Sequence, residues 1–206
     1  MAENDDMTFQ PEQMLRLCWQ GLTSPREGAH AVLALGVPRA ALWPLAGLVA
    51  VTVAVLMLIQ GAILGPTEVP IGDDGSLQPL QVEPLFLAAM VYLFIVAYAW
   101  ALAAVGRRLG GTGTFEEALV LVIFLQMIMV GFQLAELAAL LVVPPIASVI
   151  AIGGFFVGIW LNLQFVDVLH GFGSLMKSFM LMIAVSAGFA IGLMFLITLI
   201  GGVRVA

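Results

Sequence analysis

The stretch ALWPLAGLVAVTVAVLMLIQGAIL, residues 41–64, decides the fold of this chain. It carries no charged side chain, and as a helix it is roughly 36 Å long, enough to cross a hydrocarbon layer of about 30 Å with some tilt. Four further apolar runs follow, at about residues 84–105, 115–142, 146–170 and 175–200. Because unpaired backbone groups cannot face lipid and these runs are too long for barrel strands, each run is predicted to be a helix. The expected fold is therefore an all-α integral membrane protein with five transmembrane helices.

The composition also indicates a chain that faces lipid over most of its surface. Hydrophobic residues make up 62% of the chain, charged residues 10%, and the mean hydropathy is +1.12. The net charge of −6 argues against a nucleic-acid partner, which selects basic surfaces. The single cysteine, Cys18, excludes an internal disulfide and a cysteine metal cluster, and His30 and His170 lack the spacing of a zinc-binding HExxH motif. We therefore expect no nucleic acid, no metal and no cofactor.

Two short helices are predicted ahead of the first span. Residues 1–10 are expected to form a disordered polar tail, and residues 11–36 to form amphipathic helices at the membrane surface. The evidence for the first helix is a set of apolar side chains at helical spacing: Leu15, Cys18, Trp19 and Leu22. Ser24 and Glu27 have the spacing of a capping box that would open the second helix. No basic start with an apolar run directly behind it is found, so the first span is expected to be an uncleaved anchor.

The remaining boundaries follow from turn signals. The membrane domain is predicted to occupy residues 37–202, with residues 203–206 as an outer tail. The acidic segment 65–83 is expected to be a loop, and Gly110-Gly111-Thr112-Gly113 a flexible connector. Thr114 and Glu117 form a second capping-box pattern, which would open the third span.

The basic residues indicate the orientation of the spans. The chain has seven Lys and Arg residues. If the five spans alternate in direction, all of these residues except Arg204 lie on the same side of the membrane: Arg16, Arg26, Arg39, Arg107, Arg108 and Lys177. Because cytoplasmic segments are enriched in Lys and Arg, this side is predicted to be the cytoplasmic interface. We expect an N-terminus in the cytoplasm and a C-terminus on the outer side.

Polar residues within the third and fourth spans are candidates for a functional site. Gln126, Gln133 and Glu136 share one face of the third span, which suggests either a proton or cation site or hydrogen bonds between helices. Asn162, Gln164, Asp167 and His170 lie at the inner end of the fourth span. They suggest either a site for a partner, a headgroup or a proton, or a charge network that holds helix ends together. In both cases we favour the structural interpretation.

Small residues mark two helix surfaces where close packing is expected. Gly154 and Gly158 lie on the fourth span, and Ala184, Gly188 and Gly192 form a stripe on the fifth. Packing inside the bundle is favoured over a homodimer face. No catalytic residue is predicted, because Ser174 in Gly171-Phe172-Gly173-Ser174 lacks the glycine that follows a nucleophilic serine.

Three stretches together resemble bacterial members of the YIP family, the Ypt/Rab-interacting membrane proteins. The stretches are residues 22–27 with Val37-Pro38-Arg39, the connector Gly110-Gly111-Thr112-Gly113-Thr114-Phe115, and Trp160 with His170-Gly171. The resemblance covers roughly residues 11–200 and implies the five-span layout and a bacterial cytoplasmic (inner) membrane. Eukaryotic relatives are linked to Rab GTPases, but the aspartate-leucine-tyrosine-glycine-proline type of motif is missing from the second span. Rab-type GTPase binding is therefore not carried over.

The expected function is structural. We predict a non-enzymatic membrane protein that organises or shapes membrane, with the lipid bilayer and either other membrane proteins or a second copy as partners. The first alternative is a small transporter or channel that uses the polar residues of the third and fourth spans. The second alternative is an accessory subunit of a larger membrane complex.

Overall fold

The computed structural model describes residues 11–65, 68–70, 77–79 and 82–202, and this part of the chain is almost entirely helical. Its helices are α1 (Pro11–Thr23), α2 (Pro25–Ala34), α3 (Arg39–Leu64), α4 (Pro84–Arg108), α5 (Phe115–Val142), α6 (Pro144–His170) and α7 (Leu175–Gly202). Helices α3 to α7 are long and apolar enough to cross a membrane. The predicted fold class, five spans preceded by short helices, is confirmed. The tails expected at 1–10 and 203–206, with Arg204, lie outside the described residues.

Helix α5 is the centre of the bundle. It contacts α1, α2, α3, α4 and α6, whereas α7 packs against α4 and α6. Leu119 and Phe124 of α5 are completely buried, and Phe124 stacks on Phe165 of α6 with the ring centroids 5.6 Å apart. Outward-facing apolar side chains remain exposed on the other spans, as for Phe155 and Met194, which is expected of a surface that contacts lipid.

The acidic segment predicted as a loop contains a short hairpin. Strands β1 (Glu68–Pro70) and β2 (Leu77–Pro79) pair antiparallel, with Val69 opposite Gln78. The hairpin joins α3 to α4 at the end of the bundle away from α1 and α2. We call this the hairpin end, and the end where α1 and α2 pack the docking end.

The two predicted capping boxes have different outcomes. At α5, Glu117 N donates to Thr114 Oγ1 and Thr114 N donates to Glu117 Oε2, so this capping box is confirmed. At α2, Ser24 makes no side-chain cap, and the prediction was wrong. The N–H of Ser24, the residue after α1, donates to Gln20 O at 2.7 Å, so the Glu27 side chain has no free Ser24 amide to accept from.

Candidate functional site

Four residues fasten α2 to the docking end, and we call them the docking cluster: Arg26, Gln164, Asp167 and Ser174. Arg26 Nε donates to Gln164 Oε1 at 2.9 Å, and Arg26 Nη2 donates to Asp167 Oδ2 at 2.7 Å. The Arg26 side chain is 55% exposed and that of Asp167 only 6%. One guanidinium therefore donates hydrogen bonds to two acceptors about one turn apart on α6, a geometry that a lysine cannot reproduce.

Asp167 also holds the start of α7. Its Oδ1 accepts from Ser174 N at 2.9 Å, and Ser174 O in turn accepts from the N–H groups of Lys177 and Ser178 in the first turn of α7. Gly171, at φ 61°, supplies the left-handed residue that turns the chain between the two helices. A single buried carboxylate thus joins α2, α6 and α7.

His170 is buried on the other side of the same helix end, in a space that depends on glycines. A Cβ on Gly106 would lie 2.1 Å from His170 Nε2, and one on Gly111 would lie 2.5 Å from Nδ1. A Cβ on Gly113 would lie 2.6 Å from Leu169 Cγ. We call Gly106, Gly111 and Gly113 the glycine cage, because any larger residue at these positions would overlap His170 or its neighbour.

The hydrogen bonds of His170 define its protonation. Gly113 N–H donates to Nδ1 at 3.2 Å, so Nδ1 must be the acceptor and Nε2 carries the proton. Nε2 lies 3.2 Å from Leu102 O and donates to it. The ring of Phe172 stacks on the imidazole, with centroids 5.1 Å apart. This arrangement fits a neutral imidazole that joins α4, α6 and the connector.

The glycine-rich connector is therefore packed, which corrects the expectation of a flexible linker. Gly111 N donates to Gly106 O, and Thr112 N donates to His170 O. Only Gly110, at φ 85°, is a glycine for reasons of turn geometry. Gly111 and Gly113 are glycines because the backbone approaches His170 and Leu169 too closely for a side chain.

The six predicted cytoplasmic-interface residues all lie exposed at the docking end: Arg16, Arg26, Arg39, Arg107, Arg108 and Lys177. Arg39 Nε is 3.5 Å from Glu116 Oε1, and the two side chains are 70% and 41% exposed. Lys177 Nζ lies 6.0 Å from the centre of the Phe172 ring. Of the residues expected to form a charge network at this end, Asp167 pairs with Arg26 of α2, whereas His170 binds backbone groups.

Helix α1 divides its apolar residues between two surroundings. Cys18 and Leu22 pack against the bundle core, and a Cβ on Gly21 would lie 2.8 Å from the ring of Phe124. Burial raises the pKa of the Cys18 thiol above its ordinary value, which lowers its reactivity. Leu15 and Trp19, by contrast, are 70% and 67% exposed. They form a small apolar surface beside Arg16.

The polar residues predicted on α5 line one cavity with Asn162 of α6. This polar cavity has a volume of about 380 Å³ and is lined by Gln126, Gln133, Glu136 and Asn162 together with apolar side chains of α5, α6 and α7. Glu136 Oε1 accepts from Gln60 Nε2 of α3, and Asn162 Nδ2 donates to the hydroxyl of Tyr98 of α4. Asp167 and His170 do not reach it. Within the described residues, no group of His, Cys, Asp and Glu side chains could hold a metal ion.

The two sets of small residues also differ. Gly154 and Gly158 allow α6 to approach α5, because a Cβ at either position would lie 3.2 Å from Phe132 or 3.1 Å from Met129 Sδ. Ala184, Gly188 and Gly192 of α7 are exposed, and a Cβ on either glycine would meet nothing within 4 Å. The packing expected for this α7 stripe inside the bundle is therefore not found, because α7 turns its Leu181 and Val185 face toward α4 and α6.

Three residues of these sites were not predicted from the sequence. Gln60 is the only amide side chain in α3, and that isolation within an apolar span was a usable signal. Tyr98 and Gly106 carried no such signal, because a tyrosine or glycine near the end of a span is ordinary in sequence.

A family model described as "Yip1 domain" matches residues 19–197. The match begins within α1, ends within α7 and includes the docking cluster, the glycine cage and the polar cavity. No curated protein and no solved structure matched the chain.

Proposed function

The chain belongs to the Yip1 domain family of membrane proteins, and from that premise we propose that it is a non-enzymatic protein that organises or shapes the bilayer through α1 and α2. The observation that carries this proposal is the Arg26–Asp167 ion pair, which fixes the two short helices to the spans while Leu15 and Trp19 stay exposed. In this proposal α1 acts as a wedge from a fixed position on the bundle, and the ion pair supplies the attachment.

The depth of α1 supports insertion into one leaflet. Gly21 faces the ring of Phe124, which lies nine residues into α5, or about 13 Å along its axis. Interfacial helices bury their apolar face about 5–10 Å into the boundary between headgroups and acyl chains. The packing of α1 on α5 supports a position of Leu15 and Trp19 beside acyl chains of one leaflet.

The positive charge at the docking end supports a cytoplasmic location for that end. Six exposed basic residues lie there, and anionic lipid of the cytoplasmic leaflet attracts such clusters by about 1 kcal/mol per residue. We place this end at the cytoplasmic side of a bacterial inner membrane, with α1 and α2 in its inner leaflet.

Replacing Leu15 and Trp19 by serine should abolish most of the effect on bilayer shape. Each of these apolar side chains contributes roughly 2 kcal/mol to the free energy of transfer into the bilayer. The double variant therefore loses its tendency to insert but keeps the attachment of α1 to the bundle. Purified protein is reconstituted at increasing density into vesicles containing phosphatidylglycerol, and vesicle diameters are measured by electron cryomicroscopy. The unmodified protein should reduce the mean diameter, and L15S/W19S should lose more than half of that reduction.

The matched control is the pair Leu93→Ser and Trp100→Ser on α4. These side chains are 58% and 63% exposed, so a similar apolar area is removed away from α1. The control should reduce the vesicle diameter like the unmodified protein. Equal loss in both double variants would mean that the shape effect does not come from α1, and the proposal would fail.

A small transporter is the second candidate function, and the polar cavity is the observation that favours it. Glu136 is the only carboxyl group among the residues that line the cavity. If the cavity conducts cations, Glu136→Gln should abolish sodium or proton flux into sealed vesicles, measured with ion-sensitive dyes. Gln164→Leu, which alters an amide outside the cavity, should leave the flux intact. Absence of flux in the unmodified protein would eliminate this candidate.

A further inference from the structure

We propose that the polar cavity binds a protonated amphiphilic amine, with its ammonium group on Glu136 and Gln133 and its apolar part along the groove between α5 and α6. Binding does not require that the ligand be carried across the membrane. The proposal therefore stands apart from both candidate functions.

The polar groups of the cavity select a cation that donates hydrogen bonds. The lining residues include one carboxylic acid, Glu136, and no Lys, Arg or His. Gln133 Oε1 is buried and has no hydrogen-bond partner among the described residues. A buried acceptor of this kind is costly unless a donor reaches it. An ammonium group in the cavity offers its charge to Glu136, whose Oε1 also accepts from Gln60. Rotation of the Gln133 side chain toward the cavity would let its Oε1 accept one of the ammonium N–H groups.

The size of the cavity argues against a bare metal ion. Its volume of about 380 Å³ far exceeds the roughly 30 Å³ that one water occupies in the liquid. The polar residues extend from Gln126 to Glu136 over about 15 Å of α5, whereas an ion such as calcium needs about six or more oxygens converging on one point. An elongated organic cation fits this distribution of groups.

The walls of the cavity suit an alkyl chain. Phe132, Phe155, Ile150 and Ile159 contribute apolar lining. Glu136 lies six residues before Val142, the last residue of α5, and is therefore about 9 Å from the hairpin end of that helix. An amine bound there has its charge near the aqueous boundary and its chain directed toward the middle of the bilayer. Gln126 and Asn162 lie farther than Glu136 from the hairpin end, and they can bind water or a hydroxyl group of the ligand.

Two sources share this chemistry: a lipid with a primary-amine headgroup, and a free amphiphilic amine. The first would be retained from the bilayer through purification, whereas the second would have to enter from solution. Both contain an ammonium group with N–H donors attached to apolar carbon, and the experiment distinguishes them.

Dodecylamine is the probe for the amine itself. Binding to the protein in uncharged detergent micelles is measured by calorimetric titration. Thr52→Val is the matched control, since the Thr52 hydroxyl donates to Leu48 O of its own helix and Thr52 does not line the cavity. Saturable binding is expected, weakened tenfold or more by Glu136→Gln and by Gln133→Leu but unchanged in the control. Dodecyltrimethylammonium, which has the charge but no N–H donor, should bind at least tenfold more weakly to the unmodified protein.

Native mass spectrometry identifies the source of the amine. Protein reconstituted in phosphatidylethanolamine and phosphatidylcholine is extracted and examined for retained lipid. Retention of phosphatidylethanolamine, lost in Glu136→Gln, supports a lipid ligand, and dodecylamine binding without retention supports a free amine. The proposal is overturned if dodecylamine does not bind saturably, if both cavity variants bind it normally, or if dodecyltrimethylammonium binds equally well. A thermal shift produced by sodium ions alone, without any by dodecylamine, would likewise overturn it.

Discussion

Gly106→Ala is expected to destabilise the protein by about 3 kcal/mol, at the upper end of the usual cost of overpacking a core. The added methyl group would lie 2.1 Å from His170 Nε2, and the ring cannot move without giving up its bonds to Gly113 N and Leu102 O. Unfolding is followed by titration with sodium dodecyl sulfate in lipid–detergent micelles. The expected result is a clear shift of the transition to lower denaturant.

The control for Gly106→Ala is Gly131→Ala in the middle of α5. A Cβ on Gly131 would meet nothing within 4 Å, and alanine is favoured over glycine in a helix by about 1 kcal/mol, so this variant should be neutral or slightly more stable. The decisive comparison is made in the His170→Ala background, where the space beside Gly106 is open. In that background, Gly106→Ala should lower the free energy of unfolding only slightly. If the two substitutions were additive, the clash with His170 would not be the cause of the effect.

The spans were predictable because each is set by local sequence. The uncharged run that begins at Ala41 needs no tertiary partner to be recognised as a helix in lipid. Thr114 and Glu117 were predictable for the same reason, since both members of the capping box lie within one turn. Ser24 shows the limit of such reasoning, because its amide is taken by Gln20 of the preceding helix, and the local pattern does not reveal that competition.

The sites were predictable only in part. The spacing of Gln126, Gln133 and Glu136 placed them on one face of α5, and they do line one cavity. The partners from other helices were not predictable, because Gln60 and Tyr98 lie 76 and 64 residues away from Glu136 and Asn162. The same holds for Arg26 and Asp167, which are 141 residues apart. Local spacing identifies a face of a helix, whereas the neighbour of that face depends on how the helices pack.

Asp167→Ala is expected to cost about 3 kcal/mol, because it removes the partner of Arg26 and the acceptor of Ser174 N together. Arg26→Ala should cost less, about 1–2 kcal/mol, since Arg26 is 55% exposed and water takes over part of its role. The free energies of unfolding of both variants are measured by the same titration with sodium dodecyl sulfate. Hydrogen exchange of the α2 amides provides a second readout, and exchange should become faster in both variants as α2 detaches.

A double-mutant cycle separates the ion pair from general damage to the helix end. The coupling energy between Arg26→Ala and Asp167→Ala should be about 1–2 kcal/mol, because the carboxylate of the pair is buried. The matched control is the cycle on Arg39 and Glu116, whose closest atoms are 3.5 Å apart and whose side chains are 70% and 41% exposed. Such an exposed pair should show a coupling of only about 0–0.5 kcal/mol. If the two cycles gave equal coupling, the Arg26–Asp167 ion pair would contribute no more than an exposed surface pair, and other contacts would hold α1 and α2 to the spans. That result would also remove the rigid attachment on which the proposed effect on bilayer shape depends.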